Sequence, residues 1–336
     1  MIRGRGAALL LAAVLVAGLP RPVASPASVP PDDRPVEKAR LAARSLLLGA
    51  ARAGSRLVAV GERGHILLSD DDGKSWRQAE VPTHATLTAV HFPDARRGWA
   101  VGHDAVILHT EDGGERWQRQ YHDPAREAPL LDVWFRGPQE GYAIGAYGLF
   151  LATRDGGKTW RKRSIAEEDF HLNALAAAPD GRLFIAGEAG HLYRSDDGGW
   201  SWRDLPSPYA GSYFGILAPG RGRVLVFGLR GKLFRSEDTG ATWEPVPSGT
   251  HASLQGGAVL PDGRIVIVGL GGAVLISGDW GRTFSASARP DRRGIATLLP
   301  ADRHALVLFG ESGVSQHALG PGSGAISRRP DGRRAR

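Results

Sequence analysis

The sequence predicts an all-β chain, a seven-bladed β-propeller of four-stranded antiparallel blades, and three observations carry the prediction. First, a box of the form Ser/Thr-x-Asp-x-Gly-x-x-Trp recurs: Ser69-Asp71-Gly73-Trp76, Thr110-Asp112-Gly114-Trp117, Thr153-Asp155-Gly157-Trp160, Ser195-Asp197-Gly199-Trp202 and Ser236-Asp238-Gly240-Trp243. A sixth copy, Ser277-Asp279-Gly281-Phe284, carries Phe, and the aromatic positions step by 41, 43, 42, 41 and 41 residues. A period of that size marks stacked repeats rather than one irregular domain. Second, a Gly-x-x-Gly string recurs at Gly61–Gly64, Gly145–Gly148, Gly187–Gly190, Gly228–Gly231, Gly269–Gly272 and Gly310–Gly313. Third, each interval between these markers holds short runs rich in β-branched and aromatic residues.

The elements follow in order. Arg3 and Arg5 precede an apolar run from Ala7 to Leu19, with small residues at Ala24, Ser25 and Ala27, so residues 1–27 are expected to be a secretory signal peptide. Residues 28–43 are expected to be a linker, and residues 44–319 the propeller. In the second repeat the strands are Leu87–Phe92, Gly98–Gly102, Ala105–His109 and Trp117–Tyr121, separated by Pro93-Asp94, by His103-Asp104 and by the box. Glycines in the Gly-x-x-Gly strings supply the positive φ of tight hairpins. A lone sheet leaves a face unburied, and stacking around an axis hides each face against a neighbour. Counting Gly310-Glu311-Ser312-Gly313 as a degenerate last unit gives seven blades. That unit, Gly294 to Leu319, holds about three strands, and a strand within Pro35 to Leu41 is expected to complete it. Residues 320–336, rich in Gly and Arg, are expected to be a disordered tail.

The boxes read as scaffold. A Ser or Asp oxygen in a tight turn accepts backbone N–H groups, Gly permits the left-handed conformation and the aromatic buries apolar area. Asp71, Asp112, Asp155, Asp197, Asp238 and Asp279, with Trp76, Trp117, Trp160, Trp202 and Trp243, are therefore assigned to the fold. A helix-loop-helix calcium loop is excluded: with Gly73 as its glycine, Leu68 and Ala79 stand at the first and last ligand positions, and at Gly157 they are Ala152 and Arg163.

The formal charge of +7 suggests nucleic acid until it is located. Arg3, Arg5 and Arg21 lie in the leader and five Arg against one Asp in the last nine residues, which leaves residues 28–327 close to neutral. Nucleic acid is not an expected partner. With 0 Cys the chain has no disulfides and no thiolate chemistry, which suits export to a bacterial periplasm.

The strings Val60-Gly61-Glu62-Arg63-Gly64-His65-Ile66-Leu67, Asp72-Gly73-Lys74-Ser75-Trp76, Arg97-Gly98-Trp99-Ala100-Val101-Gly102 and Asp155-Gly156-Gly157-Lys158-Thr159-Trp160 resemble the BNR/Asp-box repeat proteins. Within that group the chain resembles the photosystem II assembly and stability factor family, over about Arg44 to Leu319. The resemblance implies a seven-bladed propeller and a non-enzymatic, chaperone-like role in holding membrane-protein subunits during assembly. The chain lacks the lipobox cysteine of cyanobacterial members. The transferable expectation is an exported, soluble, monomeric scaffold whose partner is a membrane or envelope protein complex, with no cofactor and no metal.

In such a meander the boxes lie on one face. The turns between second and third strands and the blade-to-blade connections lie on the other, where variable loops on a rigid frame are expected to bind. Its candidates are Glu62, Arg63, His103, Asp104, Tyr147, Glu188, Arg230 and Arg293; Arg and Tyr with mixed charge suit protein recognition. His84, His122, His171 and His251 fall in comparable connections and are the candidates for a metal site, although nothing in their spacing demonstrates that geometry. The competing class is a sialidase-like glycoside hydrolase or a carbohydrate-binding propeller. A sialidase needs an arginine cluster and a Tyr nucleophile, for which Arg63, Arg230 and Arg293 with Tyr147 or Tyr213 are the available residues. The Phe/Tyr-Arg-Ile-Pro string that announces such enzymes is absent, as are a Gly-x-Ser-x-Gly elbow, a phosphate loop and a His-Glu-x-x-His helix.

Overall fold

Short apolar runs broken by glycine and aspartate fold as antiparallel meanders. The computed structural model describes residue 36, residues 38–302 and residues 304–319. The leader expected at 1–27, the first part of the 28–43 linker and the tail expected at 320–336 lie outside these residues. In the first blade the strands are Leu47–Ala53, Arg56–Gly61, Ile66–Ser69 and Arg77–Gln78, paired in that order. Five more four-stranded sheets follow, and Ile295–Pro300, Ala305–Gly310 and Gly313–Ala318 form a three-stranded seventh. The first strand of each blade packs on the first strand of the next, and blade seven returns to blade one, closing the ring. The architecture is the seven-bladed propeller that the repeats predict.

The second strand of each blade is buried on both faces, which is why Val58-Ala59-Val60 and Ile265-Val266-Ile267-Val268 are unbroken apolar runs. The core is divided into seven clusters, one per blade–blade interface. Each box aromatic enters the cluster shared with the preceding blade: Trp117 joins Val58 and Leu68 of blade one, and Trp76 meets Phe309 of blade seven edge-on at 5.7 Å. The box thus ties neighbouring blades as well as its own hairpin.

Closure differs from expectation. Among the described residues of Pro35 to Leu41 none pairs as a fourth strand of blade seven. Val36 N–H instead donates to Val81 O at 3.1 Å and Ala39 N–H to Gln78 Oε1 at 2.9 Å, both on blade one. A single 3-10 turn, Ala42–Arg44, then lies on the turn of blade seven, where a Cβ on Gly313 would strike Ala43 O. Gly64, Gly190 and Gly231 face the carbonyls of Thr83, Tyr209 and Thr250 in the same way. The N-terminal segment therefore stands in for the blade-to-blade connection that covers the other turns.

The glycine strings are also more differentiated than the sequence suggests. Only the second glycine has positive φ, as at Gly64 (70°) and Gly231 (70°). The first is extended and is needed for close approach. In all seven blades the N–H after it donates to the carbonyl just before the first strand, from Glu62 to Leu46 O at 3.0 Å round to Glu311 to Gly294 O at 3.0 Å. A Cβ on Gly61 or Gly310 would collide with those same carbonyls.

Candidate functional site

The two faces of the ring use their polar groups differently. On the box face the aspartate at the third position of every box is committed internally. Ser69 Oγ donates to Asp71 Oδ1 at 2.8 Å and accepts the Gly73 N–H at 2.8 Å; Ser75 gives its N–H (2.9 Å) and hydroxyl (2.6 Å) to Asp71. The arrangement repeats around Asp155, Asp197, Asp238 and Asp279, each bonded by the hydroxyl of the residue four positions on. That hydroxyl, with its N–H, pulls the carboxyls of Asp71, Asp155, Asp197 and Asp238 down to about 2. The Ser/Thr-x-Asp-x-Gly-x-x-Trp pattern leaves this position open, although Ser75, Thr159, Ser201, Thr242 and Thr283 hold it at a fixed offset; only Arg116 departs, and Asp112 has no such hydroxyl bond. Trp117 is buried, and Trp76, Trp160, Trp202 and Trp243 are half-buried.

On the opposite face, the third position of five Gly-x-x-Gly-type turns is a left-handed residue other than glycine: Arg63 (φ 56), Asp104 (φ 57), Tyr147 (φ 54), Ala189 (φ 52) and Arg230 (φ 56). This conformation is unusual for side-chain-bearing residues. The turn's backbone bonds fix it, so these side chains stand at rigid apices. Arg63, His103, Asp104, Tyr147, Arg230 and Arg293 are exposed, Tyr147 by 59%. None of the side chains of Arg63, His103, Arg230 and Arg293 joins an ion pair among the described residues.

Two candidates serve the frame instead. Glu62 Oε1 accepts the Leu46 N–H and Glu188 Oε2 the His171 N–H, both at 3.2 Å, and Glu311 does the same for Gly294 at 3.0 Å. Tyr147, His171 and Glu188 come together at the blade three–four boundary: the Tyr147 and His171 rings meet edge-on at 4.9 Å, and His171 Nδ1 lies 3.9 Å from Glu188. The remaining candidates are spread around the ring: Arg63 on blade one, His103 and Asp104 on blade two, Arg230 on blade five and Arg293 in the connection between blades six and seven. Among the described residues no three His, Asp or Glu side chains converge as a metal site, so His84, His122, His171 and His251 are not brought together. Tyr213 is buried, hydrogen-bonded to Ser207 at 3.1 Å, and burial pushes its phenol up to about 12, so it is no accessible nucleophile.

Between the faces runs an axial channel of about 520 Å³ walled by the seven first strands. Its polar lining bonds across blades: Thr88 donates to Leu130 O at 2.7 Å and Asn173 to Tyr213 O at 2.8 Å. Asp132 accepts the Val133 and Leu175 N–H groups, each at 2.8 Å. Enclosure by protein raises its carboxyl to about 6 and lowers the His91 imidazole to about 4. Asp132 was not singled out in the sequence; the signal was an acid where the other first strands carry Gly49, Ala89, Ala174, Gly215, Gly256 and Thr297.

A family profile described as Photosynthesis system II assembly factor YCF48 matches residues 68–128 and 123–284. The chain is 34% identical over 94 residues to the chloroplastic photosystem II stability/assembly factor HCF136 of Cyanidioschyzon merolae, a match covering 26% of this chain and 22% of that relative. Among solved structures it is similar to "YCF48 bound to D1 peptide", with a TM-score of 0.69 at 20% identity, over 85% of this chain and 97% of that one. The virginiamycin B lyase of Staphylococcus aureus has a TM-score of 0.70 at 11% identity, over 84% and 97%. At such identities these likenesses show the fold alone, and the fold hosts an enzyme as well as an assembly factor. The profile match spans most of the ring, and by it the chain belongs to the family of the Photosynthesis system II assembly factor YCF48.

Proposed function

We propose that this protein is a non-catalytic scaffold that holds a polypeptide segment of a membrane or envelope protein complex on its turn face during assembly. The observation that carries the reading is the set of exposed, ion-pair-free side chains of Arg63, His103, Arg230 and Arg293, with exposed Tyr147, set on a rigid ring. Arg and Tyr on a pre-organised surface lose little conformational freedom on binding and are the types that dominate protein interfaces. The related structure bound to a D1 peptide supports a peptide as the ligand class. Export to the periplasm, expected from residues 1–27, and a monomeric state belong to the same proposal. No helix among the described residues is long and apolar enough to cross a membrane.

The glycoside hydrolase alternative gains no support from the site. Tyr213 is withdrawn into the core, and Arg63 and Arg230 stand on blades one and five rather than in one cluster. The test is in-cell crosslinking of the tagged protein with mass spectrometry of the captured species. One membrane complex should be enriched, and the Arg63→Ala, Arg230→Ala, Arg293→Ala triple variant should lose it. Sialoside turnover by the purified protein, abolished in the same variant, would overturn the proposal.

A further inference from the structure

In blades one, four and five the second position of the box pairs with the arginines of the rim. It is acidic in blades one, two, four and five, as Asp70, Glu111, Asp196 and Glu237. In blade one Asp70 neutralises Arg56 at 2.6 Å and Arg77 at 3.3 Å. Asp196 gathers Arg182 at 2.9 Å, Arg194 at 3.0 Å and Arg203 at 3.3 Å, and Glu237 holds Arg235 and Arg282. In blade three the same position is Arg154, a reversal of charge. The outer strand beside it is Arg161–Arg163, all cationic.

Register places three of these charges together. Arg161 pairs opposite Ala152 and Arg163 opposite Phe150, so Arg154, Arg161 and Arg163 share the blade face that meets blade four. There the fifth position after the box Ser or Thr reaches back to the preceding blade in blades two, four and six, as Glu115, Trp200 and Arg282. In blade two it is Glu115, which clamps Arg77 of blade one at 2.6 Å. In blade four it is Trp200, 46% exposed, with Arg154 stacked on its ring and Arg163 at 5.6 Å from the ring centroid. An aromatic ring has replaced the carboxylate, holding the arginines without discharging them.

The result is a groove of about 500 Å³ lined by Arg154, Arg161, Lys162, Arg163 and Trp200. Its one acid, Asp155, has its oxygens taken by Thr153 and Thr159. None of the four cations forms an ion pair among the described residues. The outer strand is hydrogen-bonded only to its inner neighbour, so one edge of backbone donors and acceptors is open.

From this geometry we infer that the rim of blades three and four is a second recognition site, distinct from the turn face, that takes an acidic, extended polypeptide segment. Uncompensated cations select the charge, and the open strand edge beside them selects an extended chain, which can add to the sheet as a further strand. A flat anionic bilayer fits less well. Trp200 is the one exposed large apolar side chain on a box turn, and its ring is covered by Arg154 rather than free to insert. The inference does not rest on the role proposed for the turn face.

The test uses the purified full chain and a fluorescein-labelled Asp/Glu-rich peptide of about ten residues, followed by anisotropy. Arg154→Asp, which restores the acid of blades one and four, should weaken binding at least about tenfold while the melting temperature holds or rises. Lys162→Glu, a change on the exposed strand edge, should do the same, and binding should fall as salt is raised. The Arg63/Arg230/Arg293 triple variant should bind the peptide as the parent does. Undiminished binding in both Arg154→Asp and Lys162→Glu would overturn the inference, as would loss of peptide binding in the triple variant alone. Flotation with phosphatidylglycerol-containing vesicles in the absence of peptide binding would likewise replace it with a membrane contact.

Discussion

The box face and the turn face are built from the same repeats, yet they dispose of their polar atoms in opposite ways. Around Asp71, Asp155, Asp197 and Asp238 both carboxylate oxygens are bonded within the box, and the pattern is copied from blade to blade. On the turn face the copied features are backbone bonds and glycines, while the apical side chains change at every blade: Arg63, Asp104, Tyr147, Ala189, Arg230, Gly271. Repetition therefore marks what the fold needs, and its interruption marks where recognition can be placed. The rim of blade three obeys the same logic, since Arg154 breaks a pattern of acids.

The comparison can be broken by experiment. The largest effect is expected from Trp117→Ala, which empties the interface of blades one and two and should cost about 3–5 kcal/mol in urea unfolding. A loss below about 1 kcal/mol would mean that the box aromatic does not tie the blades. Asp155→Ala should cost about 1–2 kcal/mol, through the three bonds to Thr153 and Thr159, measured in the same way.

The smallest effect is one of pH. The Asp132 carboxyl, raised to about 6, holds its proton more tightly folded than unfolded, where roughly 4 is ordinary. Its contribution to stability is full below about pH 4 and is lost as pH rises through about 6. The box carboxylates, lowered to about 2, have the opposite sign: their contribution is present above about pH 4 and is lost as pH falls through about 2. His91, lowered to about 4, stabilises above about pH 6.5 and loses that contribution as pH falls through about 4, so it opposes Asp132 in the same window. The difference in melting temperature between Asp132→Asn and the parent isolates the carboxyl. It should change across pH 4 to 6 and be level on either side. A difference constant with pH would remove the channel carboxyl from the account.

Much of the frame was legible because periodicity is local. The aromatic spacing and glycine strings counted the blades, and a last unit running to Leu319 with three strands is what forms. Closure was not legible, because which carbonyl covers Gly313 depends on a segment more than two hundred residues away. The turn candidates stand in second-to-third-strand turns and in a blade-to-blade connection, but their division was hidden. Glu62 and Glu188, at the second position of the string, face inward to backbone N–H groups, while Arg63 and Arg230, at the third, face water; the offset is in the sequence, but its meaning depends on the left-handed backbone at the third position. Asp132 was hidden for a different reason: an acid in a strand reads as solvent-facing until a seven-strand channel encloses it.

The division of labour between the faces is tested most directly by measuring partner binding and melting temperature for two variants side by side. The Arg63/Arg230/Arg293→Ala triple should lose binding to the captured complex by about tenfold or more with its melting temperature unchanged. Asp155→Ala should melt earlier and, while folded, bind as the parent does. Loss of binding in Asp155→Ala at an unchanged melting temperature, with the triple variant still binding, would contradict the account and move recognition to the boxes.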